Sequence, residues 1–152
     1  MKIGVISDTH GLLRPEALAA LAGSDLIVHA GDIGKPEVLE ALKTLAPLQV
    51  VRGNNDLKLP WAASFADQRV FDLAGHQALL LHDIADVPAD LDPAVRVVIT
   101  GHSHKPSIDW RVGRLYLNPG SAGPRRFKLP VTVAVIEVEA GLLQARIVPL
   151  LD

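Results

Sequence analysis

The sequence predicts an α/β domain in which βαβ units build a parallel sheet and the later strands build a second sheet packed on the first. Two patterns carry this. A short β-branched run ends three times in a polar cluster before residue 57, and twice a helix-patterned segment leads on to the next run, the mark of βαβ connections. After the third cluster the helical period gives way to strand pairs separated by glycine turns. At 152 residues the chain is long enough for one domain with a real core, so a single domain over 1–152 is expected.

Ile3, Val5 and Ile6 make the first strand, and Ser7-Asp8-Thr9-His10-Gly11 follows at once. Pro15 suits a first helical position, Leu18 and Leu21 turn inward, and Gly23 stops that helix. Leu26–Val28 form the second strand and run into His29-Ala30-Gly31-Asp32. A second helix starts at Pro36, buries Val38, Leu39, Leu42 and Leu45, and ends before Pro47. Leu48–Val51 make the third strand, closed by Gly53-Asn54-Asn55-Asp56. Strands then follow at Arg69–Leu73 and Ala78–Leu81 across Ala74-Gly75, with His82 at the end of the second. Asp83–Pro93 reads as loop, and Val95, Val97, Val98 and Ile99 as a buried strand leading into Gly101-His102-Ser103-His104. Two hairpins close the chain, turning at Gly113 and at Ala140-Gly141; both are assigned to the second sheet. Trp61 and Phe65 read as core, His29 as a buried hydrogen-bonded residue, and His76 as exposed at a turn.

Composition narrows the chemistry. The absence of Cys rules out disulfides, thiolate metal sites and a cysteine nucleophile, so a metal here would be held by His, Asp, Glu, Asn and water. No apolar run approaches the ~20 residues of a membrane helix, and the N-terminus lacks the layout of a signal peptide; a cytoplasmic protein without membrane contact is expected. A net charge of −2 gives no general attraction for a nucleic acid polymer. Locally the balance reverses, because Lys105–Lys128 carries six of the fifteen Lys and Arg and one acid, Asp109.

Five strand ends deliver Asp8, His10, Asp32, Asn54, His82, His102 and His104. In open α/β folds such ends meet where ligands bind. His102 and His104 stand two apart, which in extended backbone points both rings to one side. Together the seven are the ligand types of a two-metal site. Two ions ~3.5–4 Å apart call for a shared carboxylate, and Asp32, on the middle early strand, is the natural bridge.

Asp8-x-His10, Gly31-Asp32, Gly53-Asn54-x-Asp56, His82, Gly101-His102-x-His104 and Asn118-Pro119-Gly120-Ser121 resemble, in order, the motifs of the calcineurin-like metallophosphoesterases, specifically the small YfcE-type phosphodiesterases. The resemblance implies a four-layer α/β/β/α sandwich with two divalent ions, Mn²⁺ favoured over Zn²⁺, Fe²⁺ or Ni²⁺. Asp8, His10 and His104 would bind the first ion, Asn54, His82 and His102 the second, with Asp32 between. A bridging hydroxide would then attack a small phosphate ester, with Asp32, Asn54 and His102 in the catalytic group, Asn55 on the leaving-group side, and Asn54 and Arg125 contacting substrate. Arg125 and Arg126 would guide the anion. Asn118–Ser121 is read as a turn with a backbone role.

Two positions depart from the family pattern. Asn55 stands where the classical phosphomonoesterases carry a proton-donating His, a residue that the YfcE type usually lacks. Asp83 replaces a usual Gly and is read either as orienting a ligand or as facing solvent. Motifs about 20 to 28 residues apart leave no room for a cap domain, so an open pocket is expected. The alternative function is a binding scaffold, as in the retromer subunit of this fold, which has lost metal-site residues; retention of all seven ligand positions argues against it. The sequence is compatible with a homo-oligomer.

Overall fold

The structure, a computed structural model, describes residues 1–151. Strands β1 (Lys2–Ile6), β2 (Leu26–His29) and β3 (Leu48–Val50) alternate with helices α1 (Pro15–Leu21) and α2 (Pro36–Lys43), each helix opened by its proline. They are followed by β4 (Gln68–Leu73), β5 (His76–Leu81), β6 (Val95–Ile99), β7 (Ser107–Arg111), β8 (Arg114–Asn118), β9 (Thr132–Glu139) and β10 (Leu142–Pro149). Two five-stranded sheets result, in the orders β10-β9-β1-β2-β3 and β4-β5-β6-β8-β7. In the first, β1, β2 and β3 are parallel, and in the second β5, β6 and β8 are parallel. The expected α/β fold with stacked sheets is therefore present.

Three apolar layers hold it. Ile3, Val5 and Val28 of the first sheet meet Leu80, Val97, Ile99 and Leu117 of the second. Ile6 and Ile27 on the other face of the first sheet pack on Leu21 of α1 and Leu42 of α2, with Trp61 and Phe65 against the same cluster. The outer face of the second sheet, through Leu79, Leu81 and Val98, is covered by Val87 and Leu91 of the segment 82–94, which holds one 3₁₀ turn, Ile84–Asp86. That segment supplies the fourth layer with little helix. In β6 the register against β5 slips by one residue, Gln77 facing Val95 and Ala78 facing Val97. Arg96 is thus the extra residue of a bulge, and it lets β6 bury valines on both faces.

The last hairpin departs from the sequence expectation. β9 pairs antiparallel with β1, so β9 and β10 extend the first sheet. Strand pattern states which faces are buried and does not name the neighbour, and β9 is buried from Thr132 to Ile136 as an interior strand is. Three hairpins turn on two residues of positive φ, at Ala74-Gly75, Val112-Gly113 and Ala140-Gly141, matching the right-handed strand twist. His76, expected to be exposed, is half-buried, and its Nε2 lies 2.8 Å from the Gly141 carbonyl, joining two of these turns. Among the described residues no helix is long and apolar enough to cross a membrane.

Leu80 is fully buried between the sheets, whereas Leu142 is 72% exposed. Leu80→Ala should cost ~2–5 kcal/mol. Leu142→Ala should stay within ~0.5 kcal/mol of the parent. Urea unfolding at neutral pH measures both.

Candidate metal centre

The loops that leave β1, β2 and β3 are joined by backbone hydrogen bonds. Asp8, His10 and Gly11 donate their N–H groups to the carbonyls of Gly31, Asp32 and Ile33 at 3.0, 2.9 and 2.8 Å, which continues the β1–β2 pairing past the sheet. Asp56, wholly buried, fastens the third loop. Its carboxylate accepts the N–H groups of Ile33 at 3.0 Å, Gly34 at 3.2 Å and Gly53 at 2.9 Å. Gly53 is required beside it, since a Cβ there would overlap the Asp32 carboxylate. Gly101 is required for the same reason against Ser7. Asn118 donates Nδ2–H to the Gly101 carbonyl at 2.9 Å and to Ser103 Oγ at 3.1 Å, while Ser121 Oγ donates to the Asp8 carbonyl at 3.0 Å. The Asn118–Ser121 turn thus braces the loops through its side chains, where the sequence suggests a role for its backbone alone.

These ties hold an unusual backbone. Nine non-glycine residues among those described have positive φ, and five of them are Asp8 (+55°), His10 (+46°), Asp32 (+55°), His102 (+69°) and His104 (+63°). Such conformations cost about 1–3 kcal/mol each and gather at functional sites. They also overturn one expectation. His102 and His104 are not in extended backbone: His104 is buried beside Asp8, and His102 is exposed with its ring centroid 5.1 Å from that of His82.

Asp8 sits at the middle. Its Oδ2 accepts hydrogen bonds from Ser7 Oγ at 2.7 Å and His102 N–H at 3.0 Å. Its Oδ1 has no hydrogen-bond partner and lies 3.3 Å from His104 Nε2 and 3.8 Å from both His10 Nε2 and His82 Nε2. Asp32 mirrors it. Oδ1 accepts the Asn55 N–H at 2.9 Å, and Oδ2 lies 3.2 Å from His82 Nε2 and 3.7 Å from His10 Nε2. His82 Nδ1 is 2.8 Å from the Ala30 carbonyl, which can only accept, so Nδ1 carries a proton and Nε2 is turned to the two carboxylates. Two groups emerge with ligand atoms within 4.8 Å of one another: Asp8, His10 and His104, and Asp8, Asp32 and His82. Asp8 belongs to both.

Electrostatics point the same way. Burial pushes the Asp8 carboxyl above its usual range, although the His82 ring and the Ser7 hydrogen bond pull it down. Burial would also raise Asp32, but His82 and the Asn55 N–H hold it at about 2. Burial lowers His82, yet its contacts with Asp32 and Asp8 bring it above the ordinary imidazole value. His104 is lowered by burial, with Arg126 and His10 adding to the effect. Two buried carboxylates among three imidazoles call for positive charge between them. Asp8 Oδ1, His10 Nε2, His82 Nε2 and His104 Nδ1 are buried without hydrogen-bond partners, and an N/O donor set of this kind suits a divalent first-row ion.

Residues 1–141 match the calcineurin-like phosphoesterase superfamily domain. The chain belongs to this family. A probable metallophosphoesterase of Methanothermobacter thermautotrophicus is 35% identical over 97% of this chain and 92% of its own. YfcE, a phosphoesterase from E. coli, is 26% identical with a TM-score of 0.70, covering 90% of this chain and 88% of that one. Vps29 from Entamoeba histolytica, solved in complex with Zn²⁺, is 23% identical with a TM-score of 0.72 over 99% of both chains.

The other residues singled out in the sequence sit farther out. Asn54, His82 and His102 line an open cleft of ≈440 Å³, together with Asp83. Asn54 and Asn55 are exposed; Asn54 Nδ2 donates to Asn55 Oδ1 at 3.4 Å, and Asn55 Nδ2 donates to Asp32 Oδ2 at 3.3 Å. Asp83 does two things, accepting the Ala85 N–H at 3.0 Å on Oδ1 and placing Oδ2 3.6 Å from His102 Nε2. Arg125 is exposed in the loop after Ser121; its neighbour Arg126 lines a shelf beside His104. Sequence reasoning passed over the bracing role of Asp56 and the double membership of Asp8. The first has a signal, a carboxylate three residues after Gly53 able to accept that glycine's N–H as a capping residue does.

His29 is buried and hydrogen-bonded, as expected. Gly31 donates its N–H to Nδ1 at 3.0 Å; Thr9 Oγ1 donates to the Ile33 carbonyl at 2.8 Å and so receives Nε2–H of His29 at 3.1 Å. Burial drops its pKa to about 3, against 6.5 when unfolded. Below pH 6.5 the unfolded chain therefore binds a proton that the folded one refuses. The stabilisation is full above pH 6.5 and is lost as pH falls toward about 3, at ~1.4 kcal/mol per pH unit. In chelator-treated protein, unfolding free energy should fall more steeply between pH 6.5 and 5 for the parent than for His29→Gln. Parallel pH profiles would contradict this.

Proposed function

We propose that the protein is a metal-dependent phosphodiesterase acting on small phosphate esters. The observation that carries this reading is the convergence of Asp8, His10, His82 and His104 with their ligand atoms close together, Asp8 Oδ1, His10 Nε2 and His82 Nε2 being buried without hydrogen-bond partners and His82 lining an open cleft. Asp8, His10 and His104 would hold one divalent ion and Asn54, His82 and His102 a second, with Asp32 between; Mn²⁺ is favoured, and Zn²⁺, Fe²⁺ and Ni²⁺ suit the same donors. Such ions, when bound, offset charge on the phosphoryl oxygens and lower the pKa of a bound water.

The chain's own groups orient that centre. Asn55 fixes the Asp32 carboxylate through two donors, Ala30 sets the His82 tautomer, and Ser7 with the His102 N–H turns Asp8 Oδ1 inward. The Ser7 hydroxyl is committed to Asp8 and that of Ser121 to the Asp8 carbonyl, so neither is free as a nucleophile. Asn55 favours diesters with good leaving groups, because an amide beside the site cannot deliver a proton at neutral pH. The likeness of fold to Vps29 favours a second reading, a binding scaffold, which chelator-sensitive turnover would exclude.

Chelation should abolish hydrolysis of bis-(nitrophenyl) phosphate and Mn²⁺ should restore it, with about two ions per chain by elemental analysis. Asp32→Asn should lower kcat by more than ~100-fold, beyond the usual effect of a residue one shell further out. Full turnover by metal-free protein would end the proposal.

Asn55→His restores a proton donor at the cleft. A positioned imidazole is worth ~10²–10⁴-fold, and a smaller gain is expected because the Asn55 Nδ2–Asp32 bond is lost and Asp56, held by backbone N–H groups, cannot orient the new ring. The ratio of kcat/KM for alkyl over aryl diesters should rise in that variant at matched metal content. An unchanged ratio would mean that protonation does not limit the parent.

A further inference from the structure

Of the nine non-glycine residues with positive φ, three turn hairpins and five belong to the metal centre; the ninth is Phe127, at +53°. It occupies the second position of a turn closed by the Leu129 N–H on the Arg126 carbonyl at 3.0 Å. Glycine, Asn or Asp normally fills such a position, and a bulky side chain there is a genuine outlier. The ring gains nothing from burial, since Phe127 is 94% exposed. Strain without burial places the reason for this residue outside the stability of the fold.

The turn is anchored to the centre. Just before it, Ser121 Oγ donates to the Asp8 carbonyl, the Ala122 N–H to the Ser7 carbonyl at 3.0 Å, and Arg14 Nη2 to the Gly123 carbonyl at 3.2 Å. Phe127 and His104 line one open shelf of ≈690 Å³, with Lys105, Arg126 and Lys128 and no carboxylate. That is the size range of small-molecule sites. An exposed aromatic face flanked by cations suits a planar π-system carrying phosphate.

We propose that the turn Arg126–Leu129 is a stacking platform for the base of a nucleotide-type phosphodiester, with Phe127 against the ring and Lys105, Arg126 and Lys128 around its phosphates. The inference rests on the phosphodiesterase reading for turnover and stands apart from it for binding. A small nucleotide is favoured over an anionic membrane because the shelf is shared with the buried His104 of the candidate metal centre.

Binding is tested first without metal, by NMR of the three Phe rings in chelator-treated protein. Adenosine 5′-monophosphate should shift the Phe127 resonances saturably, and ribose 5-phosphate should not. Phe127→Ala should weaken the adenylate ~5- to 150-fold, the range of base–aromatic stacking, and leave ribose 5-phosphate unchanged; Phe127→Trp should restore it. Phe127→Gly removes the strain and should raise Tm by ~2–5 °C while losing the adenylate, so that lost binding is not lost folding. Equal shifts with both ligands, or equal affinity in Phe127→Ala, would overturn the proposal. So would an unshifted Phe127 in a protein that binds phosphatidylserine vesicles through the same ring. With Mn²⁺ added, Phe127→Ala should raise KM for nitrophenyl thymidine 5′-phosphate and not for methyl nitrophenyl phosphate. If neither ester turns over while the NMR result holds, the platform stands and the phosphodiesterase reading fails.

Discussion

The buried carboxylate of Asp8 is the constraint around which the molecule is arranged. One oxygen is satisfied by a hydroxyl and a backbone N–H, and the other faces three imidazole rings within 3.8 Å with no hydrogen bond of its own. An anion removed from water is costly unless positive charge meets it. The strands of both sheets therefore end where His10, His82 and His104 can supply that charge or share an ion that does. Asp32 repeats the arrangement at the next strand end. Because Asp8 is common to both ligand groups and Asp32 lies against two of the rings, the pair forms the inner wall of one centre.

Holding that geometry costs backbone energy, and the compensation is visible. Five left-handed residues at the centre would each prefer to relax. They are opposed by hydrogen bonds that run from loop to loop: the N–H groups of Asp8, His10 and Gly11 on the second loop, Asp56 between the second and third, and Asn118 and Ser121 bracing the fifth and the first. None of these braces depends on a metal. The apolar layers between and outside the sheets supply the stability against which the strain is held.

Much of this was legible in the sequence, for reasons of period and spacing. Pro15 and Pro36 open helices that they can begin but not continue, and apolar strands three to six residues long mark the ends that carry the candidate ligands. What failed to be legible shares one cause. Pattern reports the burial of a residue and says little about its distant neighbour, so it puts β9 in the wrong sheet while placing its turn at Ala140-Gly141 correctly. The same holds for His102 and His104, whose spacing suggests extended backbone where both φ values are left-handed. Asp56 was seen as part of a motif and missed as a brace, because its partners Ile33 and Gly34 lie more than twenty residues away.

Net charge was the least informative quantity, and the reason is physical. Salt screens charges over ~8 Å under physiological conditions, so an anion near the centre responds to the side chains lining its own path and not to the total of −2. Those paths differ in sign. The cleft beside His82 and His102 carries Asp67, Asp83 and Asp86 with a single cation, Arg52, which Asp67 pairs at 2.6 Å. The shelf beside His104 carries three cations and no acid. The sequence already separates these segments, since Lys105–Lys128 holds one acid; in the fold the acidic lining includes His102 and the basic one His104. A centre built from carboxylates and imidazoles is thereby flanked by an acid-rich lining on one hand and a cation-rich lining on the other, and their local fields have opposite sign.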